Sequence, residues 1–142
     1  MRPETYSTAS GITVTRTISS VPYRRGLTAL LKKLDRQRGI YLSSGYEFPG
    51  RYSRWDVGAV DPPIEIIAQG RDVTIRPLSP RGETLNRILE PVLAAHPHWD
   101  SFHNDAGTLR GKLKLLPELF SEEERSKQPS AFSVVRALIQ EF

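Results

Sequence analysis

Between Tyr41 and Pro63 the chain reads YLSSGYEFPGRYSRWDVGAVDPP, and this stretch gathers most of the residues able to do chemistry. Ser43 and Ser44 donate and accept hydrogen bonds, and Arg51 and Arg54 offer planar forks that fit a carboxylate. Glu47 and Asp56 are candidates to hold an ammonium group. Tyr46, Phe48, Tyr52 and Trp55 supply flat apolar walls. Hydroxyl, cation, anion and aromatic surface together suit an amino acid, an aromatic one in particular. A purely structural role fits the same residues, with Arg54 and Asp56 as an ion pair at a sheet edge and Trp55 as a core plug beneath them. On residue chemistry alone the structural role is the stronger, because ion-pair networks gather such residues without function.

The surrounding pattern predicts the elements that must position this stretch. Tyr41 and Leu42 close a strand begun at Ile40, Gly45 and Pro49-Gly50 mark turns, and Tyr52 to Val60 form a second strand, so the chemistry sits in the loop of a hairpin. Upstream, Gly11 to Ile18 alternates in the manner of a β-branched strand. Leu27, Leu30, Leu31 and Leu34 then give one apolar helix face, with Lys32, Lys33, Arg36 and Arg38 gathered towards its end and Gly39 placed to cap it. Residues 1–10 read as a flexible N-terminus and residues 11–142 as one domain.

Downstream, Ile64 to Ala68 and Val73 to Leu78 flank a Gly-containing turn and form another hairpin. Ser79 is an N-cap, with Pro80 at the first helical position. Leu85, Ile88, Leu89, Val92 and Leu93 make a second amphipathic helix, which Pro91 should kink or shorten. Residues 94–109 are polar and read as a loop, and Leu109 to Leu116 as a half-buried strand. Ser121 to Glu124 matches a capping box at the start of a short helix. A further helix follows Pro129-Ser130, with Phe132, Val135, Ile139 and Phe142 on its apolar face and Leu138 alongside. The ending at Phe142, on that face, fits equally the front piece of a longer protein and a domain that simply ends on an apolar residue. The fold class expected is α+β, mainly antiparallel sheet with about three helices.

Composition sets the outer bounds. A chain of 142 residues can bury a real core as one domain. Cysteine is absent, which excludes disulfides, thiolate metal sites and a cysteine nucleophile, and is compatible with a reducing cytoplasm. No run reads as a membrane span or a signal core. The net charge of +4 is uneven: residues 1–38 carry a balance of +6 and the remainder −2. The basic residues are spread along a helix and its lead-in, without interleaved aromatics to stack bases, so a solvated helix face is expected and no nucleic-acid or membrane partner. His96, His98 and His103 lack zinc-ligand spacing. No glycine-rich phosphate loop and no GxSxG elbow is present.

Two motifs in order add a resemblance. Tyr41-Leu42-Ser43-Ser44, followed by Gly50-Arg51-Tyr52-Ser53, resembles the Leu-Leu-Glu-Ser and Gly-Arg-Tyr-Ser motifs of the N-terminal region of anthranilate synthase component I. The fuller form, SSGYEFPGRYSRWDVGAVDPP, is most similar to the single-chain bacterial enzymes that fuse synthase and glutamine amidotransferase. The run from Glu124 to Pro129, continuing through Phe132 to Ala137, also looks like that subgroup's segment ahead of the chorismate-using core. The likeness spans roughly Gly11 to Phe142.

That resemblance implies a partial N-terminal domain of the chorismate-utilising fold. It implies a parent enzyme that converts chorismate and glutamine, or ammonia, to anthranilate and pyruvate at the entry to tryptophan biosynthesis. The Mg²⁺ and chorismate residues of that parent lie in a downstream domain, its glutaminase needs a cysteine that this chain lacks, and no cofactor is expected here. The partners implied are L-tryptophan as feedback inhibitor, the downstream chorismate-binding domain and the glutamine amidotransferase domain. Ser44 matches the family serine that helps to hold tryptophan. Ser43 stands where the family has Glu, with Glu47 as a possible substitute, and Arg51, Tyr52 and Ser53 are implied to line the site. The competing readings are the front of a related enzyme, such as aminodeoxychorismate synthase, and a stand-alone binding or interaction domain.

Overall fold

The computed structural model describes residues 2–8, 11–45, 48–51, 55–115, 128 and 130–142. They form eight strands and three helices, an α+β arrangement in which the sheets are mainly antiparallel. They group into two compact units: Thr17–Pro62 is the body of the first, and Pro63–Phe142 with Pro3–Arg16 the second.

Strands β1 (Arg2–Ser7) and β2 (Thr13–Ile18) make a two-stranded sheet. The Thr8 N–H donates to the Ile12 carbonyl at 2.9 Å to close its turn, and Glu4 pairs with Arg16 at 2.9 Å across it. Residues 2–7, expected to be frayed, are therefore a strand. Their side chains are all exposed, so no apolar alternation marks them in the sequence.

The first unit holds helix α1 (Tyr23–Leu34) and the antiparallel pair β3 (Gly39–Ser43) and β4 (Asp56–Val60). The expected strand beginning at Tyr52 is observed from Asp56; residues 52–54 lie outside the described set. Asp35, in a helical conformation, occupies the C-cap of α1. Gly39, expected to be that cap, is the first residue of β3 instead.

The second unit carries the core. Strands β5 (Ile64–Gln69), β6 (Asp72–Pro77), β7 (Trp99–Asp105) and β8 (Thr108–Leu113) form an antiparallel sheet in the order β5-β6-β8-β7. Helices α2 (Pro80–Ala94) and α3 (Ala131–Gln140) complete the unit. Val73 and Ile75 of β6, Leu109 and Leu113 of β8, Trp99, Leu89 and Leu93 of α2, and Val134 and Leu138 of α3 are buried together. The alternation read in β8 places Leu109, Gly111 and Leu113 inside, as expected. The Trp99 Nε1–H donates to the Leu93 carbonyl at 2.7 Å, so the indole is buried with its polar handle satisfied. Asn86 of α2 donates from Nδ2 to the carbonyls of Ile75 and Gly107, at 3.1 and 2.9 Å, fastening the helix to the sheet and to the β7–β8 turn.

Several expectations change in this unit. Ser79 caps α2 as expected, its Oγ accepting from the Gly82 N–H at 3.3 Å, but Pro91 does not shorten the helix, which runs on to Ala94. In the last turn a missing N–H removes one intrahelical bond and little else. Residues 99–105, expected to be loop, form β7. In α3 the buried residues are Val134 and Leu138, whereas Phe132 and Ile139 are 79% and 67% exposed, so the expected core face points outwards. The short helix expected from Ser121 to Glu124 lies outside the described residues. Among the described residues no helix is long and apolar enough to cross a membrane.

Candidate functional site

The β3–β4 hairpin, whose loop end carries the motif residues, has α1 packed on one sheet face. Strand alternation puts Gly39, Tyr41 and Ser43 of β3, and Asp56, Gly58 and Val60 of β4, on the same side. A Cβ on Gly58 would stand 2.1 Å from the Leu30 Cδ2, and one on Gly39 would stand 2.5 Å from the Leu34 Cδ2. These two glycines let the predicted leucine face of α1 seat directly on the strands. Gly39 thus has a packing role across the hairpin, and a capping pattern in sequence imitates it.

The other sheet face is partly exposed. Ile40 pairs with Ala59 and Leu42 with Val57 on that side, and Ile40, Leu42 and Val57 are each about half exposed. The register continues one step past the strands, where the Ser44 N–H donates to the Trp55 carbonyl at 2.9 Å. An apolar ladder therefore ends in a serine hydroxyl and a half-exposed indole.

On the α1 side, the last register pair is Ser43 with Asp56. Tyr23, the first residue of α1, donates its hydroxyl to Asp56 Oδ2 in a short hydrogen bond. This bond, then burial, then the negative charge of Asp56, push the Tyr23 phenol from its ordinary 10.0 up to about 12, with small additions from Tyr41. The tyrosine is the donor in this bond, which extends its protonated range upward from 10.0 to about 12.

The predicted site residues are distributed as follows. Ser43 ends β3 and is exposed, and Ser44 follows it, half-buried. Arg51 lies in the turn that Phe48 opens, its N–H donating to the Phe48 carbonyl at 3.0 Å. Glu47, Tyr52 and Ser53 lie outside the described residues. Tyr23 is the site residue that sequence reasoning missed. It stands 33 positions from Asp56, and no local pattern links the two.

A cleft of about 310 Å³ also opens in the second unit, lined in part by Asn86, Arg87, Glu90 and Asn104. It contains none of the motif residues. Three of its polar side chains are engaged in fastening the fold, Asn86 as above and Asn104 Nδ2 donating to Glu90 Oε2 at 2.8 Å. The hairpin end, which carries Ser43 and Asp56 on the α1 face and Ser44 and the Trp55 indole on the other, holds the motif residues and is the better candidate.

The described residues of the hairpin offer hydrogen-bonding groups and apolar surface. Among the described residues no three His, Cys, Asp or Glu side chains group in a way that could hold a metal ion. The chain is similar to an anthranilate synthase. It is 35% identical, over all 142 residues, to the anthranilate synthase of Azospirillum brasilense. It spans 19% of the length of that relative. No family model matches the chain, and no solved structure matches it significantly.

Proposed function

We propose that this chain is the N-terminal regulatory and structural region of a cytoplasmic anthranilate synthase of the single-chain form, contributing part of a tryptophan feedback site. One observation carries the reading: the chain aligns along its whole length with about a fifth of an anthranilate synthase. The site geometry supports it. Ser44, from the first motif, stands at the loop end of the hairpin, on the face of the half-exposed apolar ladder and the Trp55 indole, and Ser43 ends the same strand on the α1 side. An aromatic amino acid has the complementary chemistry, an apolar ring for the ladder and an ammonium and carboxylate for the polar end.

In this reading the full enzyme turns chorismate and glutamine, or ammonia, into anthranilate and pyruvate, and the 142 residues alone do not. The chorismate site and its Mg²⁺ belong to a downstream domain, and the described residues group no metal ligands that would take the ion here. The glutaminase cysteine belongs to an amidotransferase domain, since this chain has no cysteine. Tryptophan held between the ladder face and the downstream domain stabilises one arrangement of the two, in which chorismate turnover is poor. Inhibition of this kind requires the inhibitor to bind the two arrangements with different affinity.

Calorimetric titration of L-tryptophan tests the proposal, using this chain and the longer polypeptide that carries the downstream domain. The expected result is binding by the longer protein, weakened about tenfold or more by Ser44→Ala, and anthranilate formation by the longer protein only. Anthranilate formation without tryptophan binding would reduce this region to scaffold.

A further inference from the structure

We propose that the cleft of the second unit binds a small free amino acid with an apolar side chain, independently of the feedback reading. The cleft holds about 310 Å³, and its lining comes from one face of α2, the end of β6 and the β7–β8 turn. That volume is at the lower end of small-molecule sites. Asn86, only 2% exposed, is part of the lining. Its Nδ2 is committed to the Ile75 and Gly107 carbonyls, which fixes the amide, and its Oδ1 is buried without a hydrogen-bond partner. An acceptor left in that condition carries its full desolvation penalty and calls for an N–H donor.

Glu83 and Arg87 line the same cleft. Asn86 and Arg87 are three and four positions beyond Glu83 on α2, so Glu83 is a surface neighbour of both, with Cβ atoms roughly 5–6 Å apart. Among the described residues neither the Glu83 carboxylate nor the Arg87 guanidinium has an ion-pair or hydrogen-bond partner. The opposite wall is already fixed: Asn104 donates to Glu90 and accepts from the Gly107 N–H at 2.8 Å. The groups left open are thus an anion, a cation and a carbonyl oxygen. An ammonium has three N–H donors and no acceptor, which suits Glu83 and the Asn86 Oδ1 together. A carboxylate suits the planar fork of Arg87. An α-amino acid carries both on one carbon, whereas a water would satisfy the amide and leave both charges unpaired. Pro77 and Ala106 offer apolar lining for the side chain.

Nuclear magnetic resonance titration of the ¹⁵N-labelled chain tests this with three probes, at slightly acid pH where the amines are charged. The probes are L-leucine, N-acetyl-L-leucine, which lacks the ammonium, and L-leucinamide, which lacks the carboxylate. L-Leucine should shift the Asn104, Gly107 and Asn86 side-chain amides saturably, and each of the other two should bind about tenfold or more weakly. Glu83→Gln should weaken L-leucine about tenfold and leave N-acetyl-L-leucine within about twofold. Arg87→Ala should weaken L-leucine by a similar factor and leave L-leucinamide within about twofold. Both residues are exposed, so neither change disturbs the core. Arg81→Ala, on the same helix but outside the cleft lining, should leave L-leucine binding unchanged. No saturable shift with L-leucine, equal binding of the three probes, or equal weakening of all probes by the cleft variants overturns the site. So does an Arg81→Ala effect as large as that of Arg87→Ala, which would mark a general attraction to the helix charge.

Discussion

The Tyr23–Asp56 bond makes a pH-dependent contribution whose direction is fixed by the phenol. Folding raises the Tyr23 value from 10.0 to about 12, so the folded state favours the protonated hydroxyl. The contribution is therefore fully present below pH 10, where the unfolded tyrosine is also protonated. It is lost as pH rises through about 12. Ultraviolet titration of the chain, which has five tyrosines, should show one that ionises about two pH units late. Tyr23→Phe should remove that late step, and a titration in which all the tyrosines ionise together would contradict the bond. Asp56 was visible in the sequence as a carboxylate in a candidate loop. Its fixing by Tyr23 was not, because only the seating of α1 on the hairpin brings the two together.

At the scale of elements, α3 and β7 mark where periodicity fails as a guide. In α3 both helix faces are apolar, Val134 and Leu138 on one and Phe132 and Ile139 on the other, so the sequence offers two candidate cores and only packing against α2 chooses. Leu138→Ala should cost about 2–5 kcal/mol, as buried leucine truncations do. Phe132→Ser should change stability by less than about 0.5 kcal/mol, as surface substitutions do. Chemical denaturation of the two variants checks this, and a larger cost for Phe132 would reverse the assignment of faces. In β7 the inward residues Trp99 and Phe102 are three apart because the register shifts between Trp99 and Ser101. A bulge adds one residue and destroys the period of two by which strands are read. Strands β3, β5, β6 and β8 carry no such insertion and were legible, as was the Ser79 cap of α2. Strand β1 was illegible for another reason, since a fully exposed strand carries no hydrophobic pattern.

For the whole molecule the contrast lies in where apolar area is buried. Every residue of the buried hydrophobic cluster belongs to the second unit, and α1 in the first has no buried residue. Two strands and one helix without a closed core are marginal on their own. Hydrogen exchange should therefore release the β3–β4 amides roughly a hundredfold or more faster than those of β6 and β8. Comparable protection in both would show that the first unit gains stability from elsewhere.

The apolar ladder of Ile40, Leu42, Val57 and Ala59 has a consequence during synthesis. On the proposed placement, at the front of a protein as long as the Azospirillum brasilense relative of which this chain spans 19%, the hairpin would leave the ribosome with most of the polypeptide still to be made. At roughly 5–20 residues per second, the wait is on the order of half a minute to two minutes. On that placement the nascent chain would display a half-exposed apolar β-surface throughout that interval, which is the kind of surface that chaperones capture.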